Sequence, residues 1–341
     1  MENLPPILVF MIPSDKKKAV KKALQFAFGA DGFENIEPLT KGLSGALVFK
    51  IIVQGAPYVL RMIMQAETRD NPAYYFGCLQ AVADAGLAPR VHYLNFEDRI
   101  SISDFVQSRN FPISEARVKM ADAIRSLHAL PAFPYELKFL ETSDIFLKKF
   151  QVSKIIPANI TKDIFELYAQ IGNVYPRNDR NNLVSCHNDI KPDNIIYDGI
   201  HPWLIDWEAA RLNDRYVDLA ATANFIVKTE KEETDFLKRY FREDFDEYKQ
   251  ARFFLMSQIV HMFCFTLCTI SGSAGKPINT YLKTPGFNEF HERLWNAEID
   301  LGNDEEKLQY AWVHMEKLQN NMHTQRFNES LCIVSDYHKL R

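Results

Sequence analysis

Early in the chain apolar positions fall in short alternating runs, and later they fall at helical spacing. Runs at 36–40, 46–53, 57–64, 90–94 and 99–103 alternate or stay apolar over a few residues, as strands do when successive side chains face opposite ways. Two helical stretches interleave with them: an amphipathic one at 14–28 and one at 72–85 that stops at Gly86. Gly42 and Gly45 punctuate the first strand connection, and Gln54-Gly55-Ala56-Pro57 makes the second. From Ser114, read as an N-cap with Glu115 in the first turn, the pattern becomes helical at 114–130, 161–175, 216–227, 231–241, 245–270, 288–299 and 304–322. One segment breaks this rule: 183–186 and 203–205 read as buried strands, with a hairpin signal at Asp198-Gly199 between them. The pattern therefore predicts an α+β fold of two lobes, a small antiparallel sheet over 1–106 and a mainly helical lobe over 107–341. Residues 328–341 carry no interpretable pattern.

Composition narrows the partners. With 341 residues, 47% of them hydrophobic and 25% charged, the chain has room for two lobes and a sizeable core. A formal charge of −4 gives no basic field for nucleic acid, and Lys16-Lys17-Lys18 with Lys21 and Lys22 fits the wet face of the first helix. The five cysteines, Cys78, Cys186, Cys264, Cys268 and Cys332, lack the spacing of a zinc site or a disulfide framework, which predicts a reducing, cytoplasmic setting. His261, Cys264 and Cys268 share a helical face in an apolar stretch without a fourth ligand, so core packing is favoured over a metal. The apolar run 253–270 is interrupted by Ser257, Gln258, His261 and two threonines and is read as a buried helix, not a membrane span. Residues 7–12, flanked by Pro5-Pro6 and Pro13, fail as a secretory signal.

The chemistry concentrates between Cys186 and Trp207. His187-x-Asp189-x-x-x-x-Asn194, followed by an apolar run ending at Asp206, has the spacing by which kinases place a base and two metal ligands. Asp189 would accept the proton of an attacking hydroxyl, and the Asn194 oxygen and the Asp206 carboxylate would hold Mg2+ on the phosphates of ATP. Singly, each of these residues could be a turn former and His187 a core histidine; together they favour chemistry. On the nucleotide side, the stretch from Thr40 to Ala46 offers Ser44 and Gly45 for close approach to phosphate, although two glycines between strands also make an ordinary turn. Arg61, on the following strand, falls where kinases carry the cation that pairs with phosphates. Ser103-Asp104-Phe105 ends the last small-lobe strand and is the expected hinge, with Ser103 and Phe105 at the adenine edge. Kinases orient the phosphate-binding cation with a glutamate on the next helix; here Tyr74, Tyr75 and Phe76 occupy that stretch, leaving Glu67 as a candidate. The run from Ser273 to Pro277 fails as a Walker loop, because its glycine spacing is short and Pro277 replaces the metal-binding hydroxyl.

The motif from His187 to Asn194, the run Ile205-Asp206-Trp207-Glu208-Ala209-Ala210, then Asn213-Asp214 and Asp218-Leu219-Ala220, resemble the aminoglycoside phosphotransferase and choline kinase superfamily, nearest its bacterial choline/ethanolamine kinases. The resemblance covers roughly 36–322 and is specific from His187 to Ala220. It implies a bilobal protein-kinase-like fold, Asp189 as the base, Asn194 and Asp206 as magnesium ligands, and Asp218 as a brace of the catalytic loop. A protein kinase is disfavoured: Trp207-Glu208 stands where a Phe-Gly pair belongs, and the interval from Asp206 to Asp218 is too short for an activation segment. Lys191 remains able to reach a γ-phosphate. The expected substrate is thus a small-molecule alcohol, cationic if Glu208 approaches it and if aromatics among Phe265, Trp295, Tyr310 and Trp312 form a cage. For each aromatic, and for Glu208 as a salt bridge, a packing role is the competing reading. Aminoglycoside or thiamine phosphorylation, and a non-catalytic nucleotide-binding regulator on a kinase scaffold, are the alternatives.

Overall fold

The computed structural model describes residues 11–39, 46–64, 72–177, 179–278 and 284–339. By internal contacts the chain forms two compact units, one made of the described residues up to Asn110 with Ile195–Ala210, the other of Phe111–Asn194 with Arg211 onward. The second segment of the first unit lies well downstream of the boundary expected at residue 106.

The first unit is an antiparallel sheet with two helices. Helix α1 (Lys17–Phe28) precedes β1 (Asn35–Pro38), β2 (Ala46–Val53) and β3 (Ala56–Ile63), and α2 (Pro72–Asp84) precedes β4 (Val91–Asn95) and β5 (Ile100–Asp104). The strand order is β1-β2-β3-β5-β4, every pair antiparallel. Gln54 and Gly55, both at positive φ, turn β2 into β3. Alternation then decides the buried face: Ile51, Val53, Leu60, Met62, Ile100 and Ile102 pack with Val20, Ala23 and Leu24 of α1. Each of these larger side chains contributes about 1.5–3 kcal/mol by leaving water. Lys18, Lys21 and Lys22 take the wet face of α1, which ends where Gly29 adopts a left-handed conformation. A short hairpin, Ile195–Tyr197 with Pro202–Leu204, completes the unit; Asp198 closes its turn by accepting the Ile200 and His201 amides at 2.7 Å each and the Trp203 indole N–H at 2.8 Å.

The second unit is helical around one buried rod. It runs through α3 (Ile113–His128), α4 (Phe139–Ser153), α5 (Ala158–Val174), the strand pair β6 (Leu183–Cys186) and β7 (Arg211–Asp214), then α6 (Arg215–Ile226), α7 (Glu230–Phe241), α8 (Glu247–Gly272), α9 (Phe287–Trp295), α10 (Asp304–Met322) and α11 (Gln325–Lys339). Helix α8 touches α4, α6, α10 and α11, which is why it is apolar on nearly every side. Among the described residues it is the one helix long and apolar enough to cross a membrane, and 67% of its most apolar window is buried inside the protein.

Several elements depart from the pattern reading. Helix α3 begins at Ile113 behind Pro112, so Ser114 lies inside the first turn and caps nothing. The pattern does not predict helix α4, because exposed Ile145 and Val152 blur its apolar face, and β7 hides in the polar sequence Arg-Leu-Asn-Asp. The stretch from 328, read as patternless, is largely helix α11; it buries Phe327 and Val334 and stacks Tyr337 on Tyr248 at 3.7 Å.

Buried polar groups set the start of α6. Fully buried Arg252 on α8 donates to Asp214 at 2.7 Å, to Asp179 and to the hydroxyls of Tyr175 and Tyr248. Asp214 in turn caps α6 by accepting the Tyr216 amide at 3.1 Å. The first turn of that helix is therefore held from two directions.

Candidate functional site

In the helical unit, β6 delivers the chain to the loop from His187 to Asn194. Asn188 is left-handed (φ 66°), a conformation asparagine tolerates better than most residues, and its side chain accepts from Asn213 at 2.6 Å. Asp218, fully buried on the first turn of α6, accepts the main-chain amides of His187 and Asn188 at 2.8 Å each and His128 Nε2 at 3.1 Å. His128 is held neutral by its burial, so Nε2 carries the hydrogen and Nδ1 accepts from the Tyr240 hydroxyl at 2.7 Å. Burial opposes ionisation of Asp218, but the hydrogen bonds from His128 and the His187 amide outweigh it and hold the carboxyl below its ordinary value. The loop thus hangs on one buried carboxylate, the brace that the motif implied.

His128, Cys186 and Asp218 place ligand atoms within 4.8 Å of one another. Hydrogen bonds account for the cluster: Asp218 is filled by two amides and an imidazole, and burial pushes the Cys186 thiol well up, away from the thiolate a metal needs.

Asp189 follows with its side chain 41% exposed, 2.8 Å from Lys191 Nζ. The buried Asn194 amide donates to the Asp189 main-chain oxygen at 2.8 Å and to Oδ2 at 2.9 Å. That orientation turns Asn194 Oδ1 the other way, as an oxygen ligand requires. Asp189, Lys191 and Asn194 are therefore brought together, and the buried ring of His187 supports them, its Nδ1 accepting the Asp189 amide at 3.3 Å.

Of the aromatic candidates, Tyr310 feels the charge of Asp189. Burial pushes its phenol well up, with Cys264 as hydrogen-bond partner and Asp189 adding to the effect. Trp312, two residues on and so on another face of α10, packs toward Phe265 at 6.5 Å between ring centroids. Trp295 packs on Phe111 and donates to its carbonyl at 2.8 Å. The four aromatics do not form one cage. His261 bonds His314 at 2.9 Å in the core.

In the sheet unit, Arg61 stands on β3 opposite Val48 and Ser101, with strands on both sides. Its Nη2 donates to Asp206 Oδ1 at 3.2 Å and to Glu208 Oε1, and its guanidinium lies 5.3 Å from the centre of the Tyr75 ring. The acidic partners the sequence leaves open are thus Asp206 and Glu208; Glu67 lies outside the described residues, as do Ser44 and Gly45. Asp206 is left-handed (φ 63°, ψ 71°) at the head of a 3-10 turn, Trp207–Ala209, whose buried indole donates to the Leu204 carbonyl at 3.1 Å. The Tyr74 hydroxyl of α2 donates to the Ala210 carbonyl and ties the turn down. At the expected hinge, Ser103 pairs with Val59 and Val91, and the Phe105 ring lies 4.7 Å from the Lys50 amine. Glu208 and Lys191, expected at substrate and phosphate, each carry an ion pair in the structure, to Arg61 and Asp189.

The family model described as "Phosphotransferase enzyme family" matches residues 35–254. The chain is 31% identical over 84 residues to the LicA protein of Haemophilus influenzae, a match covering 24% of this chain and 31% of that one. Its fold is similar to a choline/ethanolamine kinase family protein from Mesorhizobium loti, with a TM-score of 0.67 at 17% identity over 94% of this chain and 99% of that one. It is also similar to the choline kinase LicA from Streptococcus pneumoniae, with a TM-score of 0.57 at 18% identity over 89% and 100%. The kinase-like fold and the matched domain agree with the loop chemistry, and the chain belongs to the phosphotransferase enzyme family.

Proposed function

We propose that this protein is a cytoplasmic, ATP- and Mg2+-dependent small-molecule kinase that transfers the γ-phosphoryl group to a hydroxyl of a cationic amino alcohol of the choline or ethanolamine type. The observation that carries the reading is the catalytic loop: Asp189, held by Asn194 and Lys191, on a backbone fixed by buried Asp218. Asp189 accepts the hydroxyl proton, and the braced loop holds that carboxylate in place without further reorganisation. Lys191 keeps an ammonium beside the base, where it balances negative charge arriving with the phosphoryl group. Arg61, whose buried Nε lacks a partner among the described residues, is the cation for the nucleotide phosphates, with Ser44 and Gly45 on the same ligand and Ser103 and Phe105 at the adenine. Asn194 and Asp206 would hold magnesium, an assignment resting on their spacing in the chain; both offer oxygen, the donor a hard dication takes, and the Asn194 bonds to Asp189 are made by its Nδ2, which leaves Oδ1 as the donor atom. Magnesium there supplies charge neutralisation of the phosphates.

The amino alcohol is supported by the likeness in fold to the choline kinase LicA and by Tyr310, a phenol that feels the charge of Asp189. Trp312 is the weaker substrate candidate, because its ring packs toward Phe265. An aminoglycoside, a polycation, would call for an acidic patch, and the sequence offers Asp300, Asp304, Glu305 and Glu306 in the helical lobe; two of these already have partners at the head of α10, where Glu306 accepts the Asp300 amide at 2.9 Å and Asp304 pairs with Lys307 at 2.9 Å.

The test is ADP release from Mg-ATP with choline, ethanolamine, thiamine and an aminoglycoside panel, using Asp189→Asn and Asp206→Ala as controls. Turnover with an amino alcohol that both substitutions abolish supports the reading. Turnover with an aminoglycoside or thiamine replaces the acceptor, and near-normal activity of Asp206→Ala sinks the mechanism.

A further inference from the structure

We propose that Glu208 is a positioning residue for Arg61: its carboxylate fixes the guanidinium for the nucleotide phosphates, the task kinases give to a glutamate on the small-lobe helix. This rests on the phosphotransfer reading, because it takes Arg61 as the phosphate cation.

Strands β2 and β5 fix the backbone of Arg61 on both sides, but not the end of its long side chain. An arginine side chain has many rotamers, so what its tip touches decides where the charge sits. That tip meets the Tyr75 ring and two carboxylates, and the side chain is 14% exposed. Asp206 is shared: a carboxylate that also takes magnesium divides its charge between the metal and the arginine, which weakens its hold on the guanidinium. Glu208, outside the expected metal set, keeps its carboxylate on Arg61.

The turn that carries Glu208 is built to aim it. Residues 206 and 208 flank buried Trp207, whose indole is bonded to Leu204, and the left-handed Asp206 brings both carboxylates to Nη2. Tyr74 bonds the end of the same turn, so α2 and the acid are tied together. Helix α2 cannot supply the glutamate itself: from 72 to 84 its sequence holds one carboxylate, Asp84, at the last residue. It gives Tyr75 to the face of the guanidinium instead.

The experiment measures kcat and KM for ATP and acceptor, and ADP affinity with and without Mg2+, in wild type, Glu208→Ala, Glu208→Gln, Arg61→Ala and the Arg61→Ala/Glu208→Ala pair. Glu208→Ala lowers kcat/KM for ATP by about tenfold or more, the loss of one charged hydrogen bond. KM for the acceptor stays within about twofold, and the loss vanishes in the Arg61→Ala background, as coupling through one arginine demands. Glu208→Gln, which keeps an acceptor oxygen for the guanidinium, retains most of the activity. The same ordering holds for ADP affinity without magnesium. A rise confined to acceptor KM makes Glu208 a substrate ligand and overturns the proposal; so does an effect on ADP that appears only with Mg2+, which makes it a metal ligand. If the wild type binds no nucleotide, the phosphotransfer reading fails first, and this one with it.

Discussion

Asp218→Asn is the sharpest test of how the fold builds the loop. The carboxylate is fully buried and its oxygens divide three donors: Oδ1 takes the Asn188 amide, and Oδ2 takes the His187 amide and His128 Nε2. Asparagine has the same shape but one acceptor oxygen, so whichever way it turns, an NH2 faces at least one N–H. With Oδ1 turned toward His187 and His128, the Asn188 amide is orphaned next to the residue that carries the base. Hydrogen bonds to charged groups contribute about 1.5–3 kcal/mol each, and a buried donor left unpaired sits at the upper end, so the expected loss is about 3 kcal/mol. Urea unfolding reads this as a lower midpoint at unchanged slope. Turnover falls by about a hundredfold from misplacement of Asp189 alone, with KM for ATP nearly unchanged. The pH dependence has a sign: a carboxyl held below its ordinary value stabilises the fold above the unfolded pKa of 3.8 and loses that contribution as pH falls through the folded value. A variant within about 0.5 kcal/mol of wild type, turning over at normal rate, would refute the brace.

Asp189→Asn lowers turnover by about 10²–10⁴ while ADP affinity by calorimetry stays within a few-fold, since the base acts on the acceptor. Arg252→Met leaves Asp214 buried without its cation and destabilises the protein by about 3–5 kcal/mol in urea, against a small effect if the network is only space-filling. Burial lowers His291 from 6.5 to about 4, and a group whose folded pKa lies below its unfolded one destabilises as pH falls between those values. At pH 5 this amounts to about 2 kcal/mol, visible as an acid-side fall in melting temperature that His291→Phe reduces.

Which features are legible in the sequence depends on the range of the interactions that make them. Strands β2 and β6 and helix α10 end where their local patterns end, because alternation and capping are written within a few residues. The loop from His187 to Asn194 is legible for a similar reason: base and amide are spaced along one short stretch, and the brace follows at Asp218 in a second short motif. Glu208 is not. Its neighbours Trp207 and Ala209 say nothing of Arg61, 147 residues away, and an acid two places after a presumed metal ligand suits a substrate cation equally well until the turn conformation is known. The aromatics are obscure for a different reason, since helical spacing tells which residues share a face but not what that face meets. Tyr310 and Trp312 look equivalent in sequence, yet a rotation of about 200° between them sends one toward Cys264 and the other toward Phe265. Helix α11 escapes the pattern because its stability comes from α8: Phe327 and Val334 are a sparse stripe that becomes a helix face only against a buried partner. The same logic explains why the orienting acid of Arg61 can leave the helix where kinases keep it. The arginine requires a carboxylate at its tip and is indifferent to the element that supplies it, so an acid on a rigid turn fixed by Trp207 and Tyr74 serves as well as one on α2.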